Sequence, residues 1–318
     1  MHCIDKILNF LFPKEPLYVI TTIFNSSKTR LKLYKKFKEH ILKKNVKLIT
    51  IVGTNDPNLI IERTSHKEQI FYVYTDGCLW LKENLLNYGL TKLNNAFPNW
   101  KYVAMIDADI EFINPFWDKD TINALQDYKA VQMFSHITQL NKDYQPLHSF
   151  GLSFMEGRNQ ELHKKPCTTD KKYNHCGAPG GAWAYTRECI DSIFPILDIG
   201  IIGSGDFHLA TALINEVETS FMPDYTGEYK NYILNWQRKI QPYIKCNVGY
   251  VKGLILHYWH GSLKNRNYET RWKLLGKHKF NPMKDLIMDK NGLYSITPTK
   301  PYLIKDIKDY FKSRKEDE

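Results

Sequence analysis

The stretch YVAMIDADIEF, residues 102–112, contains a run of four apolar residues, Val103 to Ile106, followed by Asp107 and Asp109 on either side of one alanine. A short continuous apolar run is typical of a strand that is buried on both faces of a parallel sheet. Carboxylates directly after such a strand lie at the edge of the sheet rather than inside it. The stretch therefore predicts a central strand that ends in two acidic side chains.

The chain before this stretch alternates between strand and helix patterns. Apolar runs at residues 16–24, 46–53 and 70–75 predict strands, and residues 28–44 and 79–90 have helical spacing. This β-α-β order predicts an α/β fold with a mostly parallel central sheet flanked by helices. Ligands of such sheets bind at the carboxyl ends of the strands, which is where the two aspartates fall.

The spacing of the two aspartates indicates a metal site. Along an extended chain, Asp107 and Asp109 project to the same side, and two carboxylates held that close repel each other. A divalent cation relieves this repulsion, and Mg²⁺ or Mn²⁺ in turn bridges diphosphate oxygens. The pair therefore predicts a site for a metal-bound nucleoside diphosphate. The alternative is two solvated loop aspartates.

The length of 318 residues fits one large α/β domain or two small ones, and a hydrophobic fraction of 43% argues against disorder. We expect an N-terminal helical extension over residues 1–15, the main domain over 16–297 and a helical tail over 298–318. The N-terminus lacks the cleavage site of a signal peptide, and no apolar run reaches the about 18 residues of a membrane span. We therefore expect a cytoplasmic protein.

The formal net charge of +10 predicts an anionic partner: nucleic acid, a lipid headgroup or a phosphorylated small substrate. Much of the positive charge lies in residues 28–44, KTRLKLYKKFKEHILKK, where lysines alternate with apolar residues at near-helical spacing. This segment predicts a surface helix. Its basic face either is solvated or contacts a phosphate or the surface of a membrane.

The six cysteines are scattered without CxxC spacing, so we expect reduced thiols. A zinc site is an alternative at one place in the chain, although the spacing there matches no standard pattern. Its four residues would be His163, Cys167, His175 and Cys176.

The form VAMIDADIEF resembles the metal-binding DxD motif of the GT-A-fold nucleotide-sugar glycosyltransferases. Three further stretches follow in the order that this superfamily requires, and together they span residues 17–272. The resemblance implies a GT-A-like (Rossmann-like) domain with Mn²⁺ or Mg²⁺ as cofactor. It also implies a nucleotide-sugar donor, UDP-sugar before GDP-sugar, and a carbohydrate or glycoconjugate acceptor in place of nucleic acid.

The first stretch, HCGAPGGAWAYTRECI at residues 175–190, is rich in glycine just before a predicted helix. It resembles a segment of the inverting members of the β-1,4-galactosyltransferase and polypeptide N-acetylgalactosaminyltransferase types, which borders the donor sugar and the acceptor. The resemblance implies that Gly181 and Trp183 bind the acceptor. The alternative is an ordinary loop with Trp183 in the core.

The second stretch, IIGSGDFHLATALI at residues 201–214, places Asp206 after a glycine-rich turn and before a predicted helix. It resembles the GGED-like stretch of the same superfamily, although it has one carboxylate where that pattern often has two. The resemblance implies that Asp206 is the general base that takes the proton of the acceptor hydroxyl. The alternative is that Asp206 is only the N-cap of the helix.

The third stretch, LILHYWHGSLKNRNYETRW at residues 254–272, resembles the HSRDKKN-like stretch of the galactosyltransferases. More loosely, it also resembles the HxxGxxKPW stretch of the glycogenin-like retaining family. In this fold a late histidine is commonly a ligand of the metal. We favour His260, which precedes the glycine and the lysine, with His257 as the alternative. Lys264 and Arg266 are the candidates for holding the diphosphate, whose developing charge must be neutralised as it leaves.

Four smaller signals complete the predicted nucleotide site. Thr21 and Thr22 end the first strand, where the fold usually holds the base and ribose, and Asp76 follows the third strand and could contact the base. Lys82, in the helix after the third strand, is a candidate for binding phosphate. For each of the four the alternative is simple packing or solvation.

These residues together predict a mechanism. Asp107 and Asp109, with His260, hold the metal on the donor diphosphate, and Asp206 deprotonates an acceptor bound near Trp183 and Trp259, so that the new glycosidic bond is inverted. Three alternatives remain. One is a retaining transferase of the same fold, another is a metal-dependent phosphoesterase or nuclease, and the third is a binding module without activity.

Overall fold

The computed structural model describes residues 15–24, 27–147, 151–159, 177–268 and 270–317. The predicted N-terminal extension therefore lies outside the described residues except for Glu15. The four residues of the alternative zinc site, which fall between 160 and 176, lie outside them as well. None of the helices in the described ranges is long and apolar enough to cross a membrane.

The first part of the chain contains the four strands and two helices that its apolar patterns predict, with no helix in the described residues between the second and third strands. The strands are β1 (Leu17–Ile23), β2 (Val46–Thr54), β3 (Glu68–Tyr74) and β4 (Tyr102–Ile106). The helices between them are α1 (Lys28–Ile41) and α2 (Lys82–Ala96). Helix α1 begins where Ser27 Oγ accepts a hydrogen bond from the amide of Arg30 (3.2 Å), which is a typical N-cap.

Shorter elements follow β4. The strands are β5 (Ile110–Phe112), β6 (Ala130–Gln132), β7 (His136–Gln139), β8 (Gly151–Leu152), β9 (Ala182–Thr186), β10 (Val248–Tyr250), β11 (Leu254–His257), β12 (Leu286–Met288) and β13 (Tyr294–Ile296). The helices are α3 (Trp117–Ala124), α4 (Phe154–Asn159), α5 (Arg187–Ile193), α6 (Gly205–Leu213), α7 (Gly227–Ile244), α8 (Lys273–Lys277), α9 (Pro282–Asp285) and α10 (Pro301–Ser313).

The central sheet has seven strands in the order β10-β6-β9-β4-β1-β2-β3. The strands β1, β2, β3 and β4 are mutually parallel, whereas β9 lies between β4 and β6 and is antiparallel to both. The α/β fold with flanking helices is confirmed. The expectation of a mostly parallel sheet was wrong, because the sheet is mixed.

The direction of β9 follows from where the chain enters the sheet. Residues 177–181 bring the chain to the carboxyl end of β4, where the amide of Asp107 donates a hydrogen bond to the carbonyl of Gly181 (2.8 Å). A strand that starts at this edge must run back across the sheet, opposite to β4. Apolar periodicity reports burial and not strand direction, so it could not reveal this.

A second sheet, in the order β5-β11-β7-β8, extends from the same edge. Strand β5 starts directly after Asp109 and pairs antiparallel with β11, so that His257 lies opposite Ile110. In addition, the amide of Tyr258 donates a hydrogen bond to the carbonyl of Asp109 (2.8 Å). This pairing brings residues 257–260, with their two histidines, next to the turn that contains Asp107 and Asp109, the aspartate turn.

Strand β4 is buried on both faces. Val103 and Met105 pack in a hydrophobic cluster that includes α2, while Ala104 and Ile106 pack in a second cluster that includes α1. This two-sided burial explains the unbroken apolar run before Asp107.

The C-terminal tail contains helix α10, which is packed against the domain. Its residues Leu303 and Ile307 are fully buried in the same cluster as α2. The residues that follow α10 therefore return to the neighbourhood of the central sheet.

Candidate metal centre and active site

The two aspartates lie in a turn at the carboxyl end of β4. The order of strands reverses at this place, because β2 and β3 lie on one side of β1 and β4 lies on the other. Open α/β sheets bind ligands at such a switch point. Thr21 Oγ1 donates a hydrogen bond to the carbonyl of Ile106 (2.8 Å), which ties β1 to the last residue of β4. The aspartate turn therefore starts from a fixed position.

Asp109 lies against the two histidines of the late segment. Its Oδ2 is 3.0 Å from Nε2 of His260, and its Oδ1 is 3.8 Å from Nε2 of His257. One carboxylate oxygen of Asp109 and one imidazole nitrogen from each histidine lie within 4.8 Å of one another. The sequence left open which histidine belongs to the metal site, and the structure brings both to Asp109.

The protonation states of this triad, Asp109, His257 and His260, suit a cation. Burial lowers the pKa of His257 to about 4 and that of His260 to about 3, so both imidazoles are neutral at neutral pH. Burial opposes the ionisation of Asp109, but the two histidines and Arg30 hold its pKa well below its usual range. Neutral imidazoles and an ionised carboxylate are the forms that bind metal.

The triad also contains buried polar atoms without a hydrogen-bond partner in the described part of the chain, which a metal ion could satisfy. Among the described residues, neither Oδ1 of Asp109 nor Nδ1 of His260 has a hydrogen-bond partner, although both atoms are buried. Nε2 of His260 also lies 3.1 Å from Nη2 of Arg266, a contact that a cation bound at this nitrogen would replace. One carboxylate with two imidazoles suits a first-row transition ion better than Mg²⁺, which prefers oxygen ligands.

Asp107 has a different partner. Its Oδ1 is 2.5 Å from Nζ of Lys82 on the first turn of α2. The alternation of an extended chain does not apply to the two carboxylates, because β4 ends at Ile106 and the next three residues are not part of a strand. Burial raises the pKa of Asp107 and Asp109 adds to the effect, while Lys82 opposes it.

Lys82 connects this turn to Asp206. Burial opposes its positive charge, but the neighbouring charges of Asp107 and Asp206 raise its pKa above the usual value. The predicted phosphate-binding lysine is therefore kept as a cation by the charges of Asp107 and Asp206.

Asp206 lies in the first turn of α6 and is not its N-cap. The N-cap is Ser204, in the left-handed region at φ 72°, and Oδ1 of Asp206 accepts a hydrogen bond from the amide of Phe207 (2.9 Å). Its Oδ2 lies so close to Gly180 that a Cβ added there would overlap it. The structure thus brings Asp206 against the glycine segment, which the family resemblance predicted to bind the acceptor.

The acceptor candidates are placed differently from one another. Gly181, at φ +94°, lies at the aspartate turn. Trp259, which falls between the two histidines in the sequence, is half-buried. Trp183 is only 5% exposed in β9, and its Nε1 donates a hydrogen bond to the carbonyl of Pro179 (2.7 Å). Its ring lies in the hydrophobic core, as the alternative interpretation held. The bond to Pro179 ties the glycine segment to this ring.

The remaining nucleotide candidates lie along the same edge. Thr21 is fully buried and bonded to β4, so its side chain has a structural role, and Thr22 is half-buried. Asp76 is exposed, with Oδ1 accepting a hydrogen bond from the amide of Cys78 (3.0 Å). Lys264 is exposed, whereas Arg266 is buried against His260.

Two ionisable residues of the site, Arg30 and Glu83, were not predicted. Arg30 on α1 is one of the charges that lower the pKa of Asp109. The basic pattern of residues 28–44 could have pointed to it, since one interpretation of that helix was contact with a phosphate. Glu83 follows Lys82 and packs on the backbone of Gly205. Burial raises its pKa to about 8, against the charge of Lys82, so Glu83 is mostly protonated at neutral pH.

The site therefore joins a largely buried Asp-His-His triad, a lysine paired with Asp107, and a glycine segment at one edge of the sheet. In comparisons with known proteins, the chain matches no protein-family model and none of the curated proteins.

Proposed function

We propose that the protein is a metal-dependent glycosyltransferase of the GT-A type. It transfers a sugar from a nucleotide diphosphate-sugar to the hydroxyl group of an acceptor, with inversion at the anomeric carbon. The observation that carries this proposal is the triad of Asp109, His257 and His260 at the switch point of the sheet. Asp109 and a late histidine are ligands that the DxD resemblance assigns to the metal. The resemblance also assigns Asp107, which is paired with Lys82.

The charges around the triad support a diphosphate ligand. Lys82 and Arg266 are cations within the site. Nζ of Lys82 contacts Asp107, and Nη2 of Arg266 contacts Nε2 of His260. A departing nucleoside diphosphate develops negative charge on its bridging oxygen, and fixed cations in a buried site stabilise that charge. A bound divalent cation would add Lewis-acid stabilisation of the same oxygens.

Asp206 is suited to the proton transfer. Its Oδ2 faces the glycine segment at Gly180, and Lys82 keeps a positive charge nearby. The acceptor hydroxyl oxygen forms its bond to the anomeric carbon while the bond from that carbon to the diphosphate oxygen breaks. The hydroxyl proton passes to the carboxylate of Asp206. Attack from the face opposite to the diphosphate inverts the anomeric centre.

Calorimetric titration tests the donor site first. UDP, GDP and CMP are titrated into the wild type with and without Mn²⁺, and then into Asp109→Asn and the control Asp309→Asn, an exposed residue paired with Lys305. We expect UDP to bind only with Mn²⁺, and we expect Asp109→Asn alone to abolish this binding. No metal-dependent binding of any nucleotide would contradict the proposal.

Asp206→Asn tests the transfer step. We expect the transfer rate to fall by about 10²–10⁴-fold, the usual contribution of a general base, while UDP and Mn²⁺ bind as in the wild type. The configuration of the product distinguishes inversion from retention. A retained product would assign Asp206 to orienting the acceptor and not to proton transfer.

A further inference from the structure

The residues that follow α10 lie against the metal centre. The carboxylate of Glu316 contacts Nε of Arg30 and lies 2.8 Å from Nη2 of Arg30 and 2.8 Å from Nη2 of Arg314. The side chain of Glu316 is only 14% exposed. A buried carboxylate is thus held by two guanidinium groups from opposite ends of the chain.

This carboxylate is next to the triad. Oε1 of Glu316 is 4.0 Å from Nδ1 of His260, and a Cβ added to Gly261 would lie 3.1 Å from Cα of Glu316. Asp317 fastens the same segment to α1, because its carboxylate accepts hydrogen bonds from the amides of Thr29 (2.9 Å) and Lys28 (3.3 Å). The last residues of the tail therefore cover one side of the metal centre.

The two arginines have more donors than one carboxylate can use. Arg314 is 4% exposed, and its Nε and Nη1 have no hydrogen-bond partner among the described residues. The guanidinium groups of Arg314 and Arg30 lie 4.8 Å and 5.8 Å from the ring centroid of Trp80. A cavity of about 330 Å³ is lined by these side chains and the tail. Buried, unused guanidinium donors indicate a ligand with more acceptor oxygens than a carboxylate, such as phosphate.

We propose that Arg30 and Arg314 form a phosphate-binding site beside the metal centre, and that Glu316 occupies this site until a diphosphate displaces it. Naming the ligand as the donor's diphosphate rests on the proposed function, whereas the site itself rests on the arginines and Glu316. A tethered carboxylate competes at an effective concentration on the order of millimolar. A dilute, weakly bound anion therefore does not open the tail, whereas a diphosphate at saturating concentration displaces Glu316.

Inorganic pyrophosphate without metal is the probe that isolates this site. It is titrated into the wild type, Glu316→Gln and the exposed control Asp309→Asn. We expect Glu316→Gln to bind pyrophosphate about 10-fold more tightly than the wild type, because the competing charge is gone. Asp309→Asn binds as the wild type does. Adding Arg30→Gln to Glu316→Gln removes the gain. Equal affinities of the wild type and Glu316→Gln would overturn the proposal, as would a gain that survives Arg30→Gln.

A measurement on the wild type covers the case in which Glu316→Gln does not fold. Trypsin cleaves after Arg314, and this side chain is only 4% exposed while it is paired with Glu316. We expect pyrophosphate to accelerate this cleavage relative to sodium chloride at the same ionic strength. Unchanged cleavage at saturating pyrophosphate would overturn the proposal.

The two proposals fail separately. Mn²⁺-dependent binding of UDP without a pyrophosphate effect removes the arginine site and leaves the transferase. A pyrophosphate gain in Glu316→Gln without any metal-dependent nucleotide binding leaves the arginine site and removes the transferase.

Discussion

Oδ2 of Asp109 lies 3.0 Å from Nε2 of His260, although the two residues come from turns that are far apart in the sequence. The contact exists because β5 and β11 pair in a register that sets His257 opposite Ile110. We expect Asp109→Asn and His260→Gln each to weaken Mn²⁺ binding by about 100-fold or more, since even an outer-shell partner contributes about 10–100-fold. Titration monitored by the electron paramagnetic resonance of free Mn²⁺ measures this.

His257→Gln distinguishes the two histidines in the same titration. A loss as large as that of His260→Gln assigns both imidazoles to the metal, as the triad predicts. Asp309→Asn, on the exposed face of α10, serves as the control. Wild-type affinity in all three variants of the triad would contradict a metal centre here.

The ion pair between Lys82 and Asp107 is expected to be energetically coupled. Both side chains are largely buried, with 16% and 27% exposure, so removal of either leaves a desolvated charge. We expect Lys82→Met and Asp107→Asn each to lower the free energy of unfolding, and the double variant to lose less than the sum. Urea denaturation in EDTA should give a coupling energy of about 0.5–3 kcal/mol. Additive effects would contradict this coupling.

Gly180→Ala is expected to displace Asp206. A Cβ at this position would overlap Oδ2 of the aspartate, and a shift of about 1 Å in a catalytic group can cost about 10²-fold in rate. The transfer rate should fall while Mn²⁺ affinity stays at the wild-type value, because the triad does not include this segment. Gly227→Ala is the matched control, since a Cβ there meets nothing within 4 Å. Full activity of Gly180→Ala would argue against Asp206 as the base.

His208 is expected to make stability depend on pH. It is buried in α6, bonded to Ser220 (2.7 Å) and Tyr225 (3.2 Å), and burial lowers its pKa to about 3. In the unfolded chain its pKa is about 6.5, so between these values the unfolded state binds the extra proton. The free energy of unfolding therefore falls as the pH falls from about 6.5 towards 3, by up to about 1.4 kcal/mol per pH unit.

Urea denaturation at pH 5, 6 and 7 measures this slope. His208→Gln cannot take up the proton, so its free energy of unfolding should change less between pH 6 and 5 than that of the wild type. Other buried groups titrate equally in both proteins and cancel in the comparison. Equal slopes would show that His208 is not held neutral in the folded state.

The sequence by itself determined the strands β1 to β4, the helices α1 and α2, and the carboxylates at the end of β4. These features depend on local patterns of apolar residues. The spacing of apolar residues along the chain shows whether an element is buried on one face or on both. The resemblance to a family also named both histidines and Asp206, because each lies in a short stretch with its own spacing.

Only the tertiary structure decided which of these side chains meet. The sequence could not show that β9 is antiparallel, that Asp107 pairs with Lys82 while Asp109 faces the histidines, or that Trp183 lies in the core. Nor could it show that Arg30 and Glu316, at opposite ends of the chain, share one buried contact. Such contacts depend on strand pairing between distant segments and on the desolvation of charges in the assembled fold, and neither is a property of a local stretch of sequence.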